Sequence, residues 1–380
     1  MAARLASSNG SPSPNHSATH NSARVPLSWS DVRLLRDQHL NVNPSIEEED
    51  KSSTSTAAPP ERWFSTHDLA LFFHYTISTS YTLTLDASDK ELWQSIISRE
   101  ASTHPFLMFA VLSLSALHKV YLQDDTPRQV EHYHELGIRH GSSSMALFDT
   151  FLRRTRLCSA TADAIACFVP ITSAISLARL SEPSIPTANS VDAILDSFQP
   201  IRMLRDRLQL IWQIVEGSPV GLFLFSHTTK CASTEPQSDP AMADIEIALQ
   251  ALEWRVQSYS VVGDRHGSQE RNDYSDAVHQ LRYALHPHRK VHLLTWPFLL
   301  STRFSQAMGE HEPAALIILG FYGVLLHALM GTWWVGDVGR RIVDAVMSES
   351  IPLEWRTLLS WASVKVVGER EQGGGEERIG

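Results

Sequence analysis

A chain of 380 residues with 43% hydrophobic side chains is long enough for one large or two ordinary domains and can bury a sizeable core without disulfide staples. Its formal net charge of -10 opposes a general affinity for phosphate backbones, which comes from lysine and arginine displacing counterions, so no direct nucleic-acid binding is expected. Cys158, Cys167 and Cys231 match no ligand spacing, and the opening residues lack the charged-then-apolar layout of a signal peptide, which points to a reducing, intracellular compartment.

Residues 1–60 are rich in serine and proline and poor in apolar clusters, so they cannot repay the entropy of ordering and read as a disordered tail. One exception is WSDVRLLRDQHL at 29–40, which predicts a short amphipathic helix. The tail mixes Arg4, Arg24, Arg33, Arg36 and Lys51 with Asp31, Asp37, Glu47, Glu48, Glu49 and Asp50, so it is no basic DNA-binding arm. The acidic run 47–50, next to a serine-rich segment, reads as a solvated linker in preference to an activation or docking element.

From Trp63 onward apolar residues recur at three- and four-residue spacing, which predicts helix after helix. Ser88-Asp89-Lys90-Glu91 and Thr126-Pro127-Arg128-Gln129 fit the capping box, and Asp239-Pro240, His286-Pro287 and Glu312-Pro313 put proline at a first helical position. Alternating strand patterns are missing from the sequence. Polar stretches at 181–190, 227–240 and 263–272 read as loops. The expected fold is all-α: a multi-helix bundle over 61–366, preceded by the disordered tail and followed by a second disordered tail at 367–380.

Two segments stand out. HPFLMFAVLSLSALHKVYL (104–122) is apolar nearly all round and belongs at the centre of the bundle. AALIILGFYGVLLHALMGTWWV (314–335) is long and apolar enough to raise a membrane span, with Trp333 and Trp334 where an interfacial belt would lie. Gly331-Thr332 reads as a helix end that shortens it, and His327 lies inside it, which favours a buried helix of a bundle. A membrane-attached protein using 314–335 is the alternative reading.

Chemistry-bearing patterns are weak. His286, His288 and His292 form an H-x-H-x3-H cluster, but Arg289 and Lys290 would repel a cation, so no metal site is expected. His132, His134 and His140 read as the polar side of the helix that begins at Pro127. No nucleophile elbow, phosphate loop or H-E-x-x-H helix occurs, and GSSSM at 141–145 is a serine run in a helical pattern, so neither an enzyme nor a cofactor is expected. Gly320 and Gly323 flank Phe321-Tyr322 and either permit close helix packing or leave room for a ligand. Phe321, Leu325, Leu326, Leu329, Trp333 and Trp334 form an aromatic-aliphatic group that is either ordinary core or the lining of an apolar ligand pocket.

The run 104–122, the following YHELGIRHGSSSMALF (133–148), and then Trp296-Pro297, Phe304, EPAALIILGFYGVLLHAL (312–329), Trp333-Trp334, Gly339, Ile342 and EWRTLLSWA (354–362) resemble the regulatory domain of fungal zinc-cluster transcription factors similar to the sterol uptake control protein. The resemblance spans roughly 63–362 and is most specific in its C-terminal part. The closing Trp361-Ala362 departs from the Trp-Pro of that family's pattern.

This resemblance implies an all-α regulatory domain, a nuclear location with shuttling from the cytoplasm, and control of transcription, with a metabolic or secondary-metabolite gene set as one target class. It also implies a small apolar ligand such as a sterol or lipid, a DNA-binding transcription factor or co-regulator as partner, and homodimer formation as a further possibility. By position, 314–334 would help line the pocket. The family's DNA-binding unit needs six thiolates for two zinc ions, and three cysteines beyond residue 150 cannot supply it.

Overall fold

The computed structural model describes residues 64–85, 87–155, 158–182, 190–225, 240–258, 267–285 and 290–355, with 357, 358, 360, 361 and 364 beyond them. The tails, the helix expected at 29–40 and the proline start at 286–287 lie outside the described residues. Every regular element among the described residues is helical, as the three- and four-residue spacing predicts.

Helix α1 (Thr66–His74) begins with a capping box in which Ser65 accepts from the Asp68 amide and Asp68 accepts from the Ser65 amide. It runs on through a π-helical segment, Tyr75–Thr79, and a last short turn, α2 (Ser80–Thr82). A second π segment, Leu92–Ile96, leads into α3 (Ile97–Thr103). At the start of that element the buried Asp89 carboxylate accepts from the Leu85 amide.

Helix α4 (Pro105–Leu122) takes the central place expected of it, with Phe106, Leu107, Val111, Leu112 and Leu114 fully enclosed. Gln123, in a left-handed conformation at φ 51°, ends it. The chain reverses into α5 (Pro127–Arg154), whose start is the predicted Thr126–Gln129 capping box. Helices α4 and α5 lie antiparallel in close contact, because small residues face each other: Ser113 Oγ donates to the Gly137 carbonyl at 2.7 Å. A Cβ on Gly137 would already stand 3.0 Å from Leu117. Helix α6 (Ser159–Leu180) crosses the pair, and Phe106, Phe148 and Phe168 meet with centroids 4.8–5.2 Å apart.

The second half surrounds this unit with α7 (Val191–Ser197), α8 (Gln199–Leu208), α9 (Trp212–Glu216), α10 (Pro219–Phe225), α11 (Pro240–Ser258) and α12 (Gly267–Leu285). The loop read at 263–272 is thus helical from Gly267, its polar residues forming the first turns of α12. Arg282 ties α12 to α11 through Glu246 and Glu253. Helices α13 (His292–Leu299), α14 (Thr302–Gly309), α15 (Pro313–His327) and α16 (Val338–Ser348) complete the bundle.

Helix α15 stops at His327, and residues 328–337 are turns, so the 314–335 run is not one helix. At about 1.5 Å per residue α15 spans roughly 22 Å, short of the ~30 Å of a bilayer core. Every residue from Ala314 to His327 is buried among other helices. The membrane reading therefore loses its element. Helices α4 and α6 are long and apolar enough to cross a membrane by length and composition, but α6 is enclosed by protein over nearly its whole length. It also carries Asp163, which accepts from the Val220 amide at 2.9 Å.

Candidate functional site

Two features of the α1–α4–α5–α6 unit have the geometry of a site. The first is a polar node inside the apolar core. His118 of α4 is 2% exposed, and its Nδ1 lies 3.0 Å from Thr79 Oγ1 and 3.3 Å from His74 Nε2. Its ring stacks on Trp333 at 4.8 Å and 23°. Trp333 Nε1 donates to Thr82 Oγ1 at 2.8 Å, and Trp334 Nε1 reaches the Thr82 carbonyl at 3.4 Å. Burial, with His74 and Lys119 adding to it, pushes the His118 imidazole down to about 4. His74 is lowered as well, chiefly by burial. Both rings are neutral near pH 7 because burial disfavours their charged forms. The node fastens the tandem tryptophan of the C-terminal half onto the end of α1 and α2.

The second feature is a half-open cavity of about 390 Å³ between α5, α6 and α7, within the size range of small-molecule sites. It exists because small residues line it: Gly141, Ser142, Ser144, Thr172, Ser176, Ala193 and Ser197, with Met145, Ile175 and Leu180 supplying apolar wall. Three hydroxyls spend their protons on their own helices. Thr172 donates to Phe168, Ser144 to Gly141 and Ser197 to Ile194, at 2.6–2.8 Å. Each oxygen therefore faces the cavity as an acceptor. Arg179 and Asp196 stand exposed at its rim.

The six residues read from the sequence as a pocket lining or core lie elsewhere. Phe321, Leu325, Leu326, Leu329, Trp333 and Trp334 are all buried. Phe321 stacks on Trp361 at 5.8 Å, and the two tryptophans belong to the His118 node. Gly323 serves close packing: a Cβ there would lie 2.8 Å from the Gly339 carbonyl oxygen and 2.9 Å from Ile342.

His286 and His288 lie outside the described residues. His292 is buried edge-on against Tyr283 at 4.8 Å. Among the described residues no group of three or more His, Cys, Asp or Glu side chains could hold a metal. The polar-face reading of α5 needs a correction at His140. This residue is buried, with Nε2 3.0 Å from Asp68 Oδ1, because α1 packs over that part of α5. His134 keeps to the flank and meets Glu182 at 3.0 Å. The node residues His74, Thr79, Thr82 and His118 escaped the sequence reading. One signal was present: an imidazole inside a run otherwise apolar all round.

Residues 69–173 match the family described as fungal specific transcription factor domain. The chain is also 26% identical over 332 residues to a protein of Gibberella zeae described as a Zn(2)-C6 fungal-type transcription factor, covering 84% of this chain and 64% of that protein. The chain is similar to fungal transcription factors. The family match runs from α1 into α6 and so takes in the cavity's α5 wall and Thr172 of α6, together with His74, Thr79, Thr82 and His118. The tandem tryptophan and α15, which carried the most specific part of the sequence resemblance, lie beyond it. The chain spans less than two thirds of the length of the relative it matches.

Proposed function

We propose that this chain regulates transcription in the nucleus, reached from the cytoplasm, as a non-enzymatic helical domain whose packing responds to a small molecule or a partner protein. The observation that carries the reading is the family match over 69–173, which falls on the helices that supply the cavity's α5 wall and His118 with its Thr79 and His74 neighbours. A metabolic or secondary-metabolite gene set is the target class in keeping with the family. The three cysteines of these residues cannot hold a two-zinc cluster. The DNA contact therefore comes either from further sequence of the same protein or from a DNA-binding partner.

The chemistry of the cavity favours a compact amphipathic molecule with hydroxyl or N–H donors for the serine and threonine oxygens and an apolar body against Met145, Ile175 and Leu180. A sterol or lipid fragment of that size meets the description. Such a ligand acts by preferring one packing of α5, α6 and α7, which shifts the population of states that a partner meets. The core group Phe321, Leu325, Leu326, Leu329, Trp333 and Trp334 responds through Trp333 on His118.

The test is a reporter gene driven by the full chain fused to an unrelated DNA-binding domain, compared with the same fusion carrying Ser142→Trp at the exposed edge of the cavity wall. The reading predicts a reporter output that the chain raises or lowers and that the tryptophan changes, with the melting temperature held. An output equal to that of the DNA-binding domain alone contradicts it.

A further inference from the structure

The outer face of the N-terminal helical stretch carries an apolar stripe. Leu69 is 60% exposed, Phe73 63%, Ile77 57% and Tyr81 57%. Their opposite face is well anchored: Leu71, Tyr75 and Thr79 are buried, Ser115 Oγ donates to the Leu71 carbonyl at 2.7 Å, and Tyr75 donates to the Trp93 carbonyl at 3.1 Å. The stripe is thus held rigidly outward. In an uninterrupted α-helix a spacing of four drifts about 40° per step. The π segment Tyr75–Thr79 has a wider turn and takes back part of that drift, which keeps the four side chains in one line.

Size limits what covers it. The four side chains expose roughly 400 Å² between them, whereas each partner in a stable protein–protein interface of standard size buries about 800 Å². The stripe is therefore too small to hold a second copy of the domain on its own, but it suits one tethered helix, because a tether raises the effective concentration to about the millimolar range. The sequence holds a matching segment. Wound as a helix, 29–40 would be about 18 Å long, the same rise as residues 69–81. Trp29, Val32, Leu35 and Leu40 would fall within about 140° of one face, with Arg36 on the same side able to reach water by its long stem. The described chain begins at Phe64, one turn before Leu69, and a chain of the length of 41–63 reaches roughly 26 Å even as a random coil.

We infer that residues 29–40 dock as an amphipathic helix on the Leu69–Phe73–Ile77–Tyr81 stripe of the same chain. The contact masks an interaction face next to the Thr82–Trp333 junction, and a partner using that face must first displace it. This inference is independent of the ligand reading above.

Hydrogen exchange on the full chain tests it. Amides of 30–40 are expected to exchange at least tenfold more slowly than in an unstructured peptide of the same sequence, independently of protein concentration. Phe73→Asp, at an exposed position, and Val32→Asp with Leu35→Asp are each expected to abolish that protection while the thermal midpoint of the domain stays within a few degrees. Unprotected amides at 30–40 in the unaltered chain would overturn the inference. So would protection indifferent to Phe73→Asp, or protection that appears only as concentration rises, which would make the occupant a second copy.

Discussion

Replacing Gly339 by alanine tests the crossing of α15 and α16. A Cβ on Gly339 would stand 2.4 Å from the Gly323 carbonyl oxygen and 2.4 Å from the His327 amide nitrogen. Both are backbone atoms, so no side-chain rotation relieves the clash and the helices must move apart. Separation loosens the packing of two helices in contact whose Leu319, Leu326, Ile342, Val343 and Val346 are all buried. Overpacking of this kind costs about 1–3 kcal/mol, and the rigid partner places Gly339→Ala near the upper end. Gly309, near the end of α14, is the control, because a Cβ there meets nothing within 4 Å. Its replacement by alanine is expected to be neutral or to stabilise by about 0.4–1 kcal/mol through the unfolded chain. Denaturant titrations of the two variants against the parent read both effects. A Gly339→Ala chain as stable as the parent would refute the close crossing.

Other outcomes follow from the same structure. Because the folded His118 titrates near 4 and an unfolded histidine near 6.5, the unfolded chain takes up the proton first. The stability is complete above about pH 6.5 and falls toward pH 4, with about 2 kcal/mol lost by pH 5. A His118→Gln variant is expected to show a shallower loss over that window in parallel melts, and an identical slope would place His118 in solvent. His311 behaves in the opposite sense. Hydrogen bonds to Asp192, the larger cause, and to Glu349 raise its pKa, so its contribution is full below about 6.5 and disappears as pH rises through the raised value. His311→Ala should therefore destabilise more at pH 6 than at pH 8.5, and equal effects at both would remove the ion pairs from the account. Tyr322→Phe strips the donor from the buried Leu293 carbonyl at 3.1 Å and should cost about 1 kcal/mol in denaturant titration. A neutral result would mean that the carbonyl finds another donor.

What could be read in the sequence was what local rules control. Thr126–Gln129 is the predicted capping box, Pro240 and Pro313 open their helices, and the all-round apolar run 104–122 sits at the centre. The misreadings arose where tertiary context decides. The helix from 314 was read as ending at Gly331-Thr332 but stops at His327, because composition does not record where a helix stops, and the turns after His327 are held by Trp333 and Trp334 bonding to Thr82, some 250 residues away. His140 looked solvated because its own helix is amphipathic, yet α1 covers it. The α5–α7 cavity is made by small residues drawn from three helices, and only their crossing leaves the gap. Gly323 was ambiguous between room for a ligand and close packing until Gly339 appeared opposite it.

The most direct test of a role in transcription is to measure, in the organism that carries this chain, promoter occupancy by the tagged protein together with the transcripts that change when the gene is deleted. A transcription regulator should crosslink to the promoters of a coherent gene set whose transcripts shift on deletion. A chain that associates with no promoter and whose loss leaves transcript levels unchanged would contradict the account.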